Sequence, residues 1–458
     1  MSASTIAHSH TRIPSVISSE EYLSWGRYPR VVHNAVHQVY WPEEIQPILM
    51  KSDHAECLPY GLGRSYGDSC LNEGRSLIDC SRLTRILSFD RVTGRIWCEA
   101  GVSLADILRI VVPAGWFLPV TPGTKFATVG GAIANDVHGK NHHRAGSFGL
   151  HVVRFLLCRS DRGVLECCPD QNPELFGATI GGLGLTGVLL SAEIQLKQII
   201  GDRINCESIP FDSIADFQAI STESDCKFEY TVAWVDSFSR KRLRGILFRG
   251  NHRKDFHVAQ KDKSGPKIPF SFPQFLLNRR SLALFNFAYY QWKSLYGSRT
   301  SAPLDAFFYP LDSIRQWNLV YGKSGFLQYQ LVIPESECDS FEEVLKVIAK
   351  DGLGSFLAVL KRFGSLRSPG MLSFPRPGLT LALDFPMRGE RTLRLLATLD
   401  EIVNQAGGAL YPAKDARMSP QMFEASFPKW RDFRSFIDPA MSSSFWRRVT
   451  ESFPWKKS

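Results

Sequence analysis

Three glycine-rich segments between residues 60 and 187 limit the fold more than any other feature of the chain. The first is Tyr60-Gly-Leu-Gly-Arg-Ser-Tyr-Gly-Asp68, the second runs through 121–139, and the third is Gly181-Gly-Leu-Gly-Leu-Thr-Gly187. Without a Cβ, glycine lets the backbone approach a ligand closely and leaves N–H groups free for phosphate oxygens. A single glycine pair more often marks only a tight turn. Three such segments predict one extended cofactor that carries a diphosphate.

One string inside the third segment, Gly182-x-Gly184-x-x-Gly187, matches the dinucleotide-binding fingerprint. That fingerprint needs a strand before it and a helix after it. Residues 170–180 are predicted to form a helix, whereas 188–196 alternates as a strand does. Because this order is reversed, we exclude a Rossmann site here.

Residues 86–112 predict an intermixing of strands and helices. Two short strands are joined by a turn at 90–94. Ser103 and Asp106 then form a capping box for a helix that ends near Val112. Strands and helices follow each other without a regular βαβ repeat, which indicates an α+β fold.

Three later segments, 327–331, 355–361 and 379–385, alternate polar and apolar residues as strands do. If these strands are neighbours, their side chains on one face form a polar wall, made of Gln328, Gln330, Lys361, Thr380, Ala382 and Asp384. A solvated outer face of a sheet is the alternative interpretation.

The order of these motifs resembles the flavoenzymes of the vanillyl-alcohol oxidase / p-cresol methylhydroxylase (PCMH) superfamily. Within that superfamily the chain is most similar to the decaprenylphosphoryl-β-D-ribose oxidase family. The likeness also rests on four further motifs, which are His138-Gly-Lys-Asn-His-His143, Phe326-Leu-Gln-Tyr-Gln-Leu-Val-Ile-Pro334, Asp384-Phe-Pro386 and Tyr411-Pro-Ala-Lys-Asp-Ala-Arg417. It extends over most of the chain, from Trp25 to Pro439.

The resemblance implies an α+β fold with a two-subdomain PCMH-type FAD-binding domain. A substrate domain built on an antiparallel sheet with flanking helices would follow. The FAD-binding domain is expected over residues 20–200 and the substrate-binding domain over 201–408. Residues 409–458 are expected to return to the FAD-binding domain, which makes that domain discontinuous.

In the resembled family the glycine-rich segments hold FAD. The residues implied to bind it are Gly61, Gly63, Arg64, Ser65, Tyr66, Gly67, Gly123, Thr128, Gly130, Gly131, Asn135, Asp136, His138, Gly187, Leu189 and Tyr411. Many superfamily members attach the flavin covalently through a histidine in the first loop, where this chain has Arg64. His138 is an alternative anchor, but the resembled family binds FAD non-covalently. A dissociable FAD is therefore expected.

Oxidation of an alcohol by a flavin needs a protein group that accepts the hydroxyl proton. The resemblance makes Lys414 the first candidate, with Tyr411 close to it and His138 beside the flavin ring. A lysine acts as a base only if burial or a neighbouring cation lowers its pKa from about 10.4. As a cation, Lys414 would instead fix the substrate hydroxyl or the flavin carbonyl region.

The polar wall is the implied substrate site. Its binding residues would be Gln328, Gln330, Lys361 and Ala382, with Lys140 beside the flavin ring. Some members of the resembled family have a cysteine at the position of Ala382, and a tyrosine is common at the position of Phe308. These departures leave the identity of the sugar open.

The resemblance implies an FAD-dependent oxidoreductase that acts on the CH–OH group of a sugar. The implied target is the 2-prime hydroxyl of a polyprenylphosphoryl pentose, a precursor of cell-envelope arabinan. A separate short-chain NAD(P)H-dependent reductase would complete an epimerisation. The alternatives are an aldonolactone or alditol oxidase acting on a soluble sugar, and a flavin-binding protein without catalysis. The electron acceptor, oxygen or another, stays open.

Composition argues against several other classes of protein. The chain has no run of about 18 apolar residues, and 1–19 lacks the pattern of a signal peptide. The expected location is therefore cytoplasmic, with peripheral membrane contact left open. The ten cysteines include no C-x-x-C, and His142 and His143 lack carboxylate partners, so no metal site is predicted. No DNA- or RNA-binding signature accompanies the net charge of +9, so no nucleic-acid partner is predicted.

The positive charge is concentrated in one stretch. Ten Lys and Arg residues lie between Arg240 and Lys267, and an aromatic and apolar stretch follows over 268–292. A basic segment beside apolar residues can dock on an anionic membrane. A mobile solvated loop next to an ordinary core helix is the alternative. Only a lipid-linked substrate needs a membrane-facing mouth, so this region separates the two enzyme hypotheses.

Overall fold

A computed structural model describes residues 22–51, 56–239, 243–255, 268, 279–296, 299–355 and 357–451. Its strands are β1 (Ala35–Gln38), β2 (Cys57–Tyr60), β3 (Ser76–Asp79), β4 (Ile86–Asp90), β5 (Arg95–Glu99), β6 (Trp116–Phe117), β7 (Val152–Arg159), β8 (Gly163–Cys167), β9 (Val188–Gln195), β10 (Lys197–Gln198), β11 (Arg203–Phe211), β12 (Tyr230–Val235), β13 (Gly245–His252), β14 (Thr300–Pro303), β15 (Phe326–Ile333), β16 (Ala358–Phe363), β17 (Gly378–Pro386) and β18 (Ala409–Leu410). Its helices are α1 (Ile45–Lys51), α2 (Leu104–Val111), α3 (Val129–Ala134), α4 (His142–Ala145), α5 (Pro173–Thr179), α6 (Ile214–Lys227), α7 (Arg279–Tyr296), α8 (Leu304–Phe308), α9 (Cys338–Asp351), α10 (Glu390–Gln405), α11 (Pro420–Ser426), α12 (Trp430–Phe433) and α13 (Ser444–Thr450).

Two sheets carry the glycine-rich segments. One is a three-stranded parallel sheet in the order β1-β3-β2, and the other is a five-stranded antiparallel sheet in the order β4-β5-β9-β7-β8. The first segment follows β2, the second contains α3, and the third precedes β9. Thr128 caps α3, because its hydroxyl oxygen accepts the N–H of Gly131 at 3.1 Å.

Most of the predicted local elements are present. β4 and β5 form the predicted antiparallel pair, and Ser103 caps α2 by accepting the N–H of Asp106. The helix predicted at 170–180 is shorter, because Asn172 adopts a φ of 53° and Pro173 begins α5. α5 precedes the fingerprint string and β9 follows it, which confirms the order that excludes a Rossmann site.

An eight-stranded antiparallel sheet has the order β14-β11-β13-β12-β16-β17-β15-β18. The three strands with predicted polar faces are β15, β16 and β17, and they are neighbours, so the polar wall exists. Gln328 lies opposite Asp384, and Lys361 lies opposite Thr380. The apolar face of the same strands packs in the core against α6, α9 and α10. Helices flanking an antiparallel sheet, together with the glycine-rich half, confirm the predicted α+β fold.

The C-terminal segment contacts both halves of the molecule. β18 pairs with β15 of the large sheet, and the residues after it reach the first glycine-rich segment. There the N–H of Tyr66 donates to the carbonyl oxygen of Ala413 at 2.8 Å. The division into residues 20–200, 201–408 and 409–458 stays a prediction. Within the described ranges, every helix is too short or too polar to cross a membrane.

Candidate functional site

A cavity of about 600 Å³ lies between the glycine-rich segments and the polar wall. Ligand pockets in proteins commonly enclose about 300–1,000 Å³. The predicted site residues that line it are Gly61, Gly63, Arg64, Ser65, Tyr66, Gly123, Thr128, Gly130, Gly131, Asn135, His138, Gly187, Leu189, Gln328, Gln330, Lys361, Ala382, Tyr411 and Lys414. The structure therefore brings all three glycine-rich segments together with the wall.

Two glycines show how the loop backbones border this cavity. A Cβ on Gly63, which has a φ of 58°, would lie 2.1 Å from the hydroxyl oxygen of Tyr60. Gly123 differs, because a Cβ there would meet no protein atom within 4 Å, and the residue lines the cavity. Open space in front of a glycine lets a ligand contact the backbone itself. The loop fits the diphosphate of an extended cofactor.

Arg64 presents a buried and incompletely bonded guanidinium at the cavity. Its Cζ lies 4.2 Å from the ring centroid of Trp25. Its Nε is buried and has no hydrogen-bond partner in the described part of the chain. Burial lowers the pKa of Arg64, and the carboxylate of Asp312 opposes that shift. Since a buried donor without a partner is costly, an anionic group bound in the cavity would stabilise this side chain.

His138 lies at the centre of the polar wall. Its Nε2 accepts from Nε2 of Gln330 at 2.9 Å, and its Nδ1 lies 3.0 Å from Nζ of Lys361. Burial lowers the pKa of His138 well below its ordinary value, with Lys361 as the next cause, so the ring is neutral. Because Nε2 of His138 accepts from the side-chain amide of Gln330, the single ring proton of His138 is on Nδ1. Nδ1–H can donate to Lys361 only if the amine of that lysine is neutral. Burial, together with the charges of other lysines, lowers the pKa of Lys361 to about 7, which agrees with a neutral amine at this position.

Lys414 lines the cavity with its Nζ 3.7 Å from the ring centroid of Tyr66. Burial lowers the pKa of Lys414 to about 7, although the carboxylate of Asp384 raises it. Burial likewise raises the pKa of Asp384 to about 7, although the side chain of Gln328, which donates to its Oδ1 at 2.6 Å, opposes the shift. Near neutral pH Lys414 therefore populates both protonation states, as a proton-transfer group requires.

Tyr411 also lines the cavity, but its hydroxyl already has a partner. The hydroxyl donates to the carbonyl oxygen of Asn135 at 2.8 Å. Its ring stacks on Phe374 at 4.7 Å between centroids and lies 5.6 Å from His138. Burial raises the pKa of Tyr411. These contacts tie the C-terminal segment to the second glycine-rich segment, and a catalytic role for Tyr411 stays a prediction.

Three residues that we expected to bind cofactor or substrate do not line the cavity. A Cβ on Gly67 would lie 1.7 Å from the carbonyl oxygen of Asp415, so this glycine allows two backbone segments to meet. The carboxylate of Asp136 is fully buried and accepts a backbone N–H and a serine hydroxyl. Lys140 donates to a backbone carbonyl oxygen of α8. These contacts support the loops around the cavity, and direct binding by the three residues stays a prediction.

Several lining residues were not anticipated from the sequence. They are Trp25, Phe126, Asp312, Arg315, Gln316 and Trp317. The last four belong to the connection between α8 and β15. Its sequence is not glycine-rich like the three loop segments, and its polar and apolar residues do not alternate as in a strand. Only the tertiary fold brings this connection to the cavity.

Arg448 in α13 holds two functional segments together. Its Nε and Nη2 donate to the two carboxylate oxygens of Asp68 at 2.8 and 2.7 Å, and Nη2 also donates to Asp415 at 2.8 Å. Asp68 ends the first glycine-rich segment, and Asp415 directly follows Lys414. Both carboxylates are buried. Arg448 therefore fixes the loop beside the cavity against the segment that carries Lys414.

We expect Arg448→Met to lower the free energy of unfolding by about 3–5 kcal/mol, because it leaves two buried carboxylates without their cation. Chemical denaturation of the holoprotein measures this change. The matched control is Arg109→Met, which removes an exposed ion pair with Asp106 and should change stability by less than about 1 kcal/mol. Equal losses in the two variants would contradict the role of Arg448.

Comparison with known proteins agrees with this site. A protein family described as FAD binding domain matches residues 42–167. The chain is 36% identical over 395 residues to the decaprenylphosphoryl-β-D-ribose oxidase of Mycolicibacterium smegmatis, and the match covers 83% of this chain and 85% of that oxidase. It is 32% identical over 360 residues to an uncharacterized protein of Streptomyces coelicolor, covering 74% and 96% of the two chains. The L-gulonolactone oxidase of Mus musculus matches 149 residues at 31% identity, 32% of this chain and 33% of that oxidase.

The match to the mycobacterial oxidase covers too much of both chains to concern the cofactor domain alone. It confirms the predicted cofactor, FAD, and the predicted enzyme class, an oxidoreductase. The chain belongs to the decaprenylphosphoryl-β-D-ribose oxidase family of FAD-dependent oxidoreductases.

Proposed function

We propose that the enzyme oxidises the 2-prime hydroxyl of a pentose that is carried on a polyprenyl phosphate. The observation that carries this proposal is the polar wall, where Gln328, Gln330 and Lys361 line the same cavity as the glycine-rich segments. A few placed amide and amine groups in an otherwise apolar pocket orient a small polar substrate. The mycobacterial relative is a decaprenylphosphoryl-β-D-ribose oxidase, which supports the same substrate class.

FAD, when bound, supplies the acceptor for the hydride of the carbinol C–H. We assign its diphosphate to the backbone beside Gly123, Gly130 and Gly131 and to the guanidinium of Arg64. The amide groups of the wall bind and orient the sugar. Neutral Lys414 accepts the hydroxyl proton at Nζ, and the resulting ammonium is stabilised by the carboxylate of Asp384 and the ring of Tyr66.

The FAD is expected to dissociate from the denatured chain. Arg64 stands where a covalent histidine would be, and both ring nitrogens of His138 are engaged by Gln330 and Lys361. Acid precipitation of the yellow holoprotein should leave intact FAD in the supernatant. Flavin that stays with the precipitate would rule out non-covalent binding.

Anaerobic bleaching of the flavin tests the substrate class directly. The panel should contain polyprenylphosphoryl ribose, free ribose and gulonolactone. We expect rapid bleaching only with the lipid-linked sugar. Bleaching by the lactone, with none by the lipid-linked sugar, would replace the proposal with the soluble aldonolactone oxidase.

We further propose that a separate short-chain NAD(P)H-dependent reductase consumes the ketone, which completes an epimerisation in the cytoplasm at the membrane surface. The string at Gly182 lacks the strand-then-helix order of a dinucleotide site, so this string does not give the chain a site for that reductant. The ketone should accumulate when the enzyme acts alone and should become the arabino product only after the reductase is added. Formation of the arabino product from NADPH without a second protein would contradict this division of labour.

A further inference from the structure

We propose that the outer face of α7 docks on an anionic lipid bilayer and holds the cavity beside its lipid-linked substrate. This inference rests on the proposed function, because only a lipid-carried sugar gives such docking a catalytic purpose. α7 spans Arg279–Tyr296 and contains no acidic residue. It is therefore a helix that an anionic surface does not repel.

One side of α7 is apolar and exposed. The exposed side chains are Leu284 at 69%, Phe285 at 51%, Phe287 at 49%, Trp292 at 54% and Leu295 at 74%. At about 100° per residue these five positions fall within an arc of about 160°. Asn286 lies on the opposite, buried side and anchors the helix by donating to Asp236 at 3.0 Å. Contiguous exposed apolar surface of this kind marks an interaction site.

The charges around this face favour an anionic membrane over a neutral one. Arg280 is exposed and lies within the arc of the apolar side chains, and Nζ of the half-buried Lys293 lies 4.5 Å from the ring centroid of the exposed Trp292. Apolar residues on one side with Lys and Arg beside them are typical of helices that lie in the membrane interface. The basic stretch predicted from the sequence has the same sign, although 240–242 and 256–267 lie outside the described residues.

α7 covers the same face of the eight-stranded sheet as the polar wall. The ring of Tyr289 in α7 packs on Trp234 of β12 at 4.9 Å between centroids. Trp234 lies opposite Val359, which lines the cavity and lies in turn opposite Ala382. Directly opposite residues of paired strands share a face of the sheet. A bilayer on the outer side of α7 would therefore lie beside the cavity.

Flotation of the holoenzyme with vesicles tests this surface. The vesicles are pure phosphatidylcholine, or phosphatidylcholine with phosphatidylglycerol, at low and at high salt. We expect binding to the anionic vesicles that weakens as salt rises. The triple variant Phe287→Ser, Trp292→Ser and Leu295→Ser should partition at least about tenfold less. The matched control replaces three other exposed residues with Ser and should bind as wild type does. These are Leu87 on β4, Val92 in the turn after β4 and Val164 on β8, exposed at 51, 88 and 53%.

Three outcomes would overturn the inference. These are no binding of the wild type to anionic vesicles, equal binding of wild type and the α7 triple variant, and an α7-dependent dimer in ultracentrifugation without vesicle binding. A water-soluble, short-chain polyprenylphosphoryl ribose separates this inference from the proposed function. The short-chain substrate should bleach the flavin of the wild type and of the α7 triple variant equally. With the long-chain substrate in vesicles, only the α7 triple variant should be bleached slowly. If neither is bleached by the short-chain substrate, the proposed function fails whatever the vesicles show.

Discussion

Lys414→Ala is expected to slow anaerobic reduction of the flavin by substrate at least about a hundredfold, the lower range for a positioned proton-transfer group. Lys414 lines the cavity, and burial brings its pKa to about 7. The variant should keep its FAD, because we assign the cofactor diphosphate to the glycine-rich backbone and to Arg64. Stopped-flow absorbance of the flavin measures the rate. Near-normal reduction would assign the base elsewhere, with His138 the next residue to test.

The pH dependence of the same rate distinguishes a base from a fixed cation. Lysine accepts a proton only in its neutral form, so with a pKa of about 7 the rate should rise about tenfold per pH unit below 7 and level off above it. A cationic role predicts the opposite, a rate that falls above pH 7. Lys414→Arg is the matched variant, because arginine keeps the charge but does not deprotonate. Full activity in Lys414→Arg would contradict the role as a base.

Gly67→Ala is expected to yield protein that retains little or no FAD. The added methyl carbon would lie 1.7 Å from the carbonyl oxygen of Asp415, so one of the two backbones must move. Overpacking of this kind commonly costs about 1–3 kcal/mol or more. The displaced segments are the first glycine-rich loop and the segment that carries Lys414. A hydrogen bond from the backbone N–H of Tyr66 to the carbonyl oxygen of Ala413 joins these two segments. Thermal unfolding and the flavin-to-protein absorbance ratio measure both effects.

Gly123→Ala is the matched comparison for this substitution. Its methyl group would meet no protein atom within 4 Å, and Gly123 lines the cavity. Stability of the flavin-free protein should therefore stay near that of the wild type. FAD affinity should nevertheless fall by at least about tenfold, a loss of about 1.4 kcal/mol, because the methyl group occupies space assigned to the cofactor. Unchanged FAD affinity would show that the diphosphate lies elsewhere.

The polar wall could be predicted because strands have a side-chain period of two. That period alone places Gln328 with Gln330, and Ala382 with Asp384, on common faces. The cap at Ser103 was likewise local, and the structure contains its hydrogen bond from the N–H of Asp106 to the Ser103 hydroxyl oxygen, which is one half of the predicted capping box. The three glycine-rich segments together predicted one extended cofactor, but their spacing in the sequence does not say how the three loops meet around it.

What the sequence did not reveal depends on contacts between distant segments. Arg448 pairs with Asp68 across 380 positions of the chain, and no local pattern marks either residue as a partner. The lowered pKa of Lys414 arises from burial by several loops, so the residue type alone could not predict it. The sequence also did not reveal that Asp136 accepts a backbone N–H and a serine hydroxyl inside the fold.

The site of oxidation on the sugar tests the proposed function most directly. One anaerobic turnover with polyprenylphosphoryl ribose should be quenched with borodeuteride, and the released sugars analysed by mass spectrometry. Oxidation at the 2-prime hydroxyl predicts a mixture of ribose and arabinose, each with deuterium at C2, in an amount equal to the flavin reduced. Deuterium at any other carbon, or flavin that stays oxidised with no labelled sugar, would contradict it.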